Sequence, residues 1–349
     1  FGSNHCACSP GYMASSSYSE SLIGLGSDHE RLLISEAVED EFNAVQASTD
    51  LLFAWDSFEC SAEAFQEGRD ASAHDEERGD VGLAVEARQT VLYLMAELIA
   101  LAGLPERVWF QAAGLLDASV AASAQTDVVR TLPAACAAIV NLLRKVESAE
   151  GQVQELDLST WAIPVASQLS RQGFEVPLNV THRDVLVHEA RMLQEIEWKV
   201  FMPSAESWIT LLGARLQILI DEPFLEMVRW SMDRSVCAAR FLVMWRSRAD
   251  SGCVKALACG FFGLHLVLGG LLPLDVLRPR HMQADEWEHL FLESQPDVDT
   301  VPQPGVPEEL AQALHHALLR ATNYSPKALR QACFFSLGRL RSALARARP

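Results

Sequence analysis

Runs of β-branched residues are scarce in this chain, and aromatic residues make up only 8% of it. Strands draw on both kinds of side chain, so their scarcity works against a sheet core. Alanine and leucine take the space instead, and the balance favours an all-α protein. There is no Cys-x-x-Cys. The eight cysteines, Cys6, Cys8, Cys60, Cys136, Cys237, Cys253, Cys259 and Cys333, are scattered. Several fall in apolar helical stretches, where a thiol serves as a small hydrophobe. With no charged-then-apolar leader, the expectation is a reduced, intracellular protein. The chain opens on Phe1, and Met13 is a candidate start that would remove Cys6 and Cys8.

Reactive constellations are missing as well. The sequence contains no Gly-x-Ser-x-Gly elbow, no phosphate-cradling glycine loop and no Rossmann fingerprint. His188-Glu189 begins like His-Glu-x-x-His, but Met192 stands where the second histidine is needed. Neighbours on a helix point about 100° apart, so His315 and His316 cannot share a ligand face. His5, Cys6 and Cys8 could hold a soft metal only within an N-terminal arm expected to lack order. No catalytic residue, cofactor or metal site is expected.

Basic residues are rare at the N-terminus. Residues 1–80 hold 17 acids against three arginines, a net of −14, whereas the remaining 269 residues set 29 acids against 25 bases, a net of −4. That asymmetry describes an acidic, mostly disordered arm joined to an ordinary body. It argues against sequence-independent nucleic-acid binding, which needs basic patches to displace counterions. Short apolar pieces, Leu32 to Ile34 and Leu51 to Trp55, are expected to give at most one or two transient or docking helices within the arm.

One long apolar run exists. Ala256 to Leu274 is nineteen residues with His265 as its single polar side chain, close to the length that spans a bilayer. Gly269-Gly270 and Pro273 should end the helix early, and Lys255 and Asp275 bracket it. A buried central helix is expected, with a membrane segment as the alternative.

With 349 residues, 49% of them apolar, the chain can bury two ordinary cores. A first set of helices is predicted over Ala87 to Ala102, Pro105 to about Ala122, Leu132 to Val146, Leu156 to Gln168 and Asp184 to Val200. A second set covers Ser204 to Ile220, Pro223 to Arg246, Cys253 to Leu268, Gln283 to Glu293 and Pro307 to Thr322. Each set puts its most apolar, small-residue helix third, where it can be the central post of a bundle. In the fifth helix Leu186, Leu193, Ile196 and Val200 share one face. Glu189 lies on that face too, so it either snorkels at the edge of the core or serves something outside the chain. From Tyr324 to Pro349 there are six basic residues and no acid, with a stripe of Leu329, Cys333, Leu337, Leu340 and Leu344. The tail reads as a basic amphipathic helix lying on the acidic body; nuclear targeting or membrane-surface binding is the alternative.

The spacing of these helices resembles the cyclin family. AVEARQTVLYLMAEL is similar to the opening helix of the cyclin box, with Arg88 at its arginine. FQAAGLLDAS resembles the second helix, with Asp117 at its aspartate. LPAACAAIVNLLRKVE resembles the alanine-rich third helix, with Lys145 and Glu147 at its end. HEARMLQEIEWKVFMPSAESW resembles the fifth helix and the step into the second box; Glu189, Leu193, Trp198, Val200, Pro203, Ser204 and Trp208 fall in the family's order. The resemblance implies two tandem five-helix cyclin-type domains, residues 81–202 and 203–322, flanked by the 1–80 arm and a 323–349 tail.

It also implies a regulatory subunit of the nucleus and/or cytoplasm, not an enzyme itself. Such a subunit binds and activates a cyclin-dependent protein kinase in cell-cycle or transcriptional control. Its kinase-gripping pair would be Lys145 and Glu189. The alternative is a transcription or scaffold protein of the same fold without a kinase partner. The member is a divergent one. Where a substrate-docking patch would hold Met, an aliphatic and Trp, this chain has Ala87, Thr90 or Val91, and Leu94. The separation between Lys145 and Glu189 implies an inserted loop around Ile163 to Val180. No Arg-x-x-Leu destruction signal occurs in residues 1–80, and the match at Arg183 to Leu186 falls at a helix start.

Overall fold

The structure, a computed structural model, describes residues 84–122, 128–147, 157–198, 200, 204–218, 220, 222–245, 254–293 and 306–347. The acidic arm, Cys6, Cys8, Cys60, Cys253 and Pro203 lie outside these described residues. Every regular element among them is helical, with no strand. In chain order the helices are α1 (Val85–Leu101), α2 (Val108–Ala122), α3 (Val128–Glu147), α4 (Ser159–Arg171), α5 (His182–Glu195), α6 (Ala205–Ile218), α7 (Glu222–Trp245), α8 (Val254–Leu268), a 3-10 turn at Leu274–Leu277, α9 (Ala284–Glu293), α10 (Glu308–Thr322) and α11 (Pro326–Ala347).

Helix α3 is the first post. It packs against α1, α2, α4 and α5, and every residue from Ala135 to Leu143 is buried. Only small side chains permit so many neighbours at once. Helix α8 plays the same part later in the chain, buried from Lys255 to Leu266 and packed on α6, α7 and α11. It is therefore a core helix. No helix among the described residues is long and apolar enough to cross a membrane.

Several predicted boundaries move; α3, for one, starts at Val128, four residues before the predicted Leu132. Pro105 lies in the turn before α2, where its carbonyl accepts the Val108 N–H. Helix α5 ends at Glu195 instead of running to Val200, because Glu197 and Trp198 both take left-handed backbone angles, φ 53° and 63°. The Trp198 N–H turns back to the Leu193 carbonyl at 2.8 Å and closes the helix. The buried face of α5 is also displaced from the predicted one: Val185, Glu189, Met192 and Leu193 face inward, followed by Ile196, while Leu186 is 40% exposed. The insertion expected around Ile163 to Val180 is half helix, since α4 runs on to Arg171 before the loop into α5.

The tail is not appended to the surface. Leu329, Cys333, Leu337 and Leu340 of α11 are fully or almost fully buried, and α8 is the principal partner of that helix. Gly260 allows this approach: a Cβ there would overlap the Ala332 backbone and the Ser336 hydroxyl. The first hydrophobic cluster joins both halves, since it takes Val91, Leu115 and Ile139 from the early helices and Leu242, Phe261, Leu340 and Ala343 from the late ones. A second cluster lies wholly among α6 to α11.

Candidate functional site: an ion pair between α3 and α5

Thr181 starts α5 with a capping box. Its hydroxyl accepts the Asp184 N–H at 3.2 Å, and the Asp184 carboxylate accepts the Thr181 N–H at 2.9 Å. The helix then carries Glu189 one turn beyond Val185 on the inward face, so its carboxylate is delivered to α3. There Asn141 and Lys145 lie one turn apart. Lys145 Nζ meets Glu189 Oε1 at 2.5 Å, and Asn141 Nδ2 donates to Oε2 at 2.7 Å. Arg144 in turn donates to the Asn141 side-chain oxygen at 3.1 Å, and its guanidinium lies 5.6 Å from the Trp161 ring.

Both carboxylate oxygens are thus satisfied, by charge-assisted bonds stronger than neutral ones. The two partners are not equally open: the Glu189 side chain is 10% exposed and that of Lys145 is 40% exposed. An ammonium has three donors, so Lys145 can serve Glu189 and an acceptor outside the chain together. Asn141 is the member that sequence reasoning passed over. Its signal was available, one turn before Lys145 within a run of apolar residues.

The remaining signature residues divide into inner and outer sets. Arg88 is buried and grips Asp117 with both arms, Nε to Oδ1 at 2.8 Å and Nη2 to Oδ2 at 2.9 Å; its Nη1 donates to the Val243 carbonyl of α7 at 2.6 Å. Leu193 and Trp208 are buried, and the Lys255 ammonium lies 5.2 Å from the Trp208 ring. Glu147 pairs with Arg107 at 3.2 Å on the surface and does not join the α3–α5 pair. Trp198 stands out from the molecule at 69% exposure. Pro203 lies outside the described residues. Of the nine exposed large hydrophobic residues among the described ones, five, Ile163, Leu178, Leu186, Val187 and Trp198, fall between the start of α4 and the turn that follows α5. The segments flanking Glu189 therefore carry most of the uncovered apolar side chains. Of the residues compared above with a docking patch, Ala87 and Val91 are buried, Thr90 bonds Gln172 at 2.9 Å, and Leu94 is half-buried.

No group of three or more His, Cys, Asp or Glu that could hold a metal occurs among the described residues. His188 is mostly buried, and desolvation holds it below the ordinary imidazole range. Its Nε2 has no hydrogen-bond partner in a hollow lined by Ser119, Thr131, Arg191 and Glu195. Burial pushes the Cys136 and Cys333 thiols far up, which removes the thiolate that a nucleophile or ligand needs. No family model matches the sequence, and neither a curated protein nor a solved structure matches it.

Proposed function

We propose that this chain is a cyclin-like regulatory subunit, built of two tandem cyclin-type domains, that binds a cyclin-dependent protein kinase and stabilises its active conformer. The observation that carries this reading is the half-open ion pair of Lys145 and Glu189. It joins the third and fifth helices of the leading group, at the positions the family resemblance assigns to the kinase grip. A carboxylate anchored by Asn141 and an ammonium left 40% exposed make a polar handle fixed in place before any partner arrives. The exposed Trp198 and Leu186 offer apolar area for the same partner, and aromatic anchors dominate binding energy at interfaces.

On this reading the subunit performs no bond chemistry and needs no cofactor. Phosphoryl transfer belongs to the kinase, and the subunit spends binding energy on one of the kinase's two conformers. The test is affinity capture of kinases from native extract with the wild-type chain and with Lys145→Ala/Glu189→Ala. The expected result is capture by the wild type and at least a tenfold loss in the double variant, with helical circular dichroism unchanged. Equal capture by both would remove the role given to the pair. Capture of transcription or scaffold components without a kinase would favour the alternative of the same fold.

A further inference from the structure

The side of α5 that meets α2 and α3 carries one polar atom with nothing to bond. His188 stands one residue before Glu189, so the two side chains leave the helix about 100° apart. Glu189 reaches Asn141 and Lys145 of α3. His188 lines a small hollow between α2, α3 and α5, where its Nε2 is sealed from solvent and has no hydrogen-bond partner among the described residues.

The surroundings suit a neutral ring and resist a charged one. Ser119 of α2 and Thr131 of α3 bring hydroxyls, the other lining residues of those helices are apolar, and neither helix brings a charge. Helix α4, which also packs on α5, contributes no lining residue. The charged groups are both on α5 itself, Arg191 and Glu195, one and two turns beyond His188. Glu195 already accepts Arg191 Nε at 2.7 Å, so the guanidinium offsets its attraction for an imidazolium. About 10 Å³ is open to the centre of a water molecule, room for one water at most, and a buried cation without hydration is costly. Desolvation accordingly holds His188 below the ordinary imidazole range, with Glu195 opposing that shift and Arg191 adding to it.

We propose that His188 is an acid-sensitive latch on α5: a proton on its ring drives the helix out of the wedge between α2 and α3 and lifts Glu189 off Asn141 and Lys145. The sign follows from linkage. Seated, the helix keeps the ring neutral; released, it lets water hydrate the charged form. Seating is therefore complete above about pH 6.5 and weakens as pH falls below it. An imidazole that titrates near 6.5 when free is about ten parts charged to one neutral at pH 5.5, which sets the effect at roughly tenfold. The consequence for a partner rests on the function proposed above, under which acid loosens the grip on the kinase; the seating of α5 requires no partner.

Hydrogen exchange of the full chain, with rates corrected for the intrinsic effect of pH, tests this without a kinase. In the wild type, amides in the last two turns of α5 should lose about fivefold or more of their protection between pH 7.5 and 5.5. They should also be less protected than those of α8 at both pH values, as expected of a local opening. In His188→Gln, whose side chain stays neutral, the loss should be under about twofold; His188→Leu makes the same comparison if the glutamine variant folds poorly. Three results would overturn the proposal: no loss in the wild type, an equal loss in the variants, or equal protection of α5 and α8. The last would mean that α5 leaves only when the whole molecule unfolds.

Discussion

His265 shows how much a single buried polar side chain commits a helix. It sits on α8, and its Nδ1 lies 2.7 Å from the Phe261 carbonyl and 3.2 Å from Ser235 Oγ of α7. Ser235 donates to the Ser231 carbonyl at 2.6 Å, and Ser231 reaches the His265 carbonyl at 3.1 Å. These bonds make a small polar seam in an apolar interface, and burial lowers the imidazole pKa from 6.5 to about 4. The folded chain keeps His265 neutral over a range in which the unfolded chain protonates it. Stability is therefore complete above pH 6.5 and falls as pH drops toward 4, by up to about 3 kcal/mol in total. Urea midpoints at pH 7, 5.5 and 4.5 should show this slope, and His265→Gln should flatten it relative to the wild type. An equal slope in both would place the acid sensitivity elsewhere.

At the level of helices, the crossing of α8 and α11 is set by Gly260. Gly260→Ala should cost about 1–3 kcal/mol, the usual effect of forcing a methyl group into a closed contact. A guanidinium chloride midpoint lower than wild type checks it; an unchanged midpoint would mean that the two helices can part without loss. Much of this architecture was legible in the sequence. The alanine-rich stretch after Leu132 and the Gly- and Cys-rich stretch after Cys253 announced posts because small residues on every side leave no solvent face. Ser204 announced the start of α6, and its hydroxyl does accept the Ser207 N–H at 3.0 Å. The end of α5 was not legible, since neither Glu197 nor Trp198 is a residue that prefers left-handed angles. Leu186 was also misplaced. The buried face of α5 is centred on Val185, Glu189 and Met192, and at 100° per residue Leu186 lies at its edge. The Lys145–Glu189 meeting was anticipated from family resemblance, whereas Asn141 was passed over although it stands as a polar residue in an apolar run one turn before Lys145.

At the scale of the whole molecule, α7 ties the two helix groups together. Arg88 bonds the Val243 carbonyl, Arg240 pairs with Glu106, and the Arg240 guanidinium lies 4.9 Å from the Trp109 ring. A cluster that draws on α1, α3, α7, α8 and α11 lies behind those contacts. The groups should unfold together. Tryptophan fluorescence and far-ultraviolet circular dichroism should give coincident denaturation curves. Arg88→Met, which strands the Asp117 carboxylate, should lower stability by about 2–4 kcal/mol, and the common midpoint with it, without separating the curves. Two resolved transitions in the wild-type chain would mean that the halves are independent.

The placement of Leu340 and Ala343 in the same cluster as Ala87 and Val91 has a consequence for biosynthesis. A polypeptide leaves the ribosome from its N-terminal side, and early segments usually begin to fold while later ones are still being made. Here the early helices share a cluster with α7 and α8, and the principal partner of α8 is α11, some 240 residues downstream of α1. Until residues 326–347 have been made, α8 lacks its principal partner and the shared cluster stays incomplete.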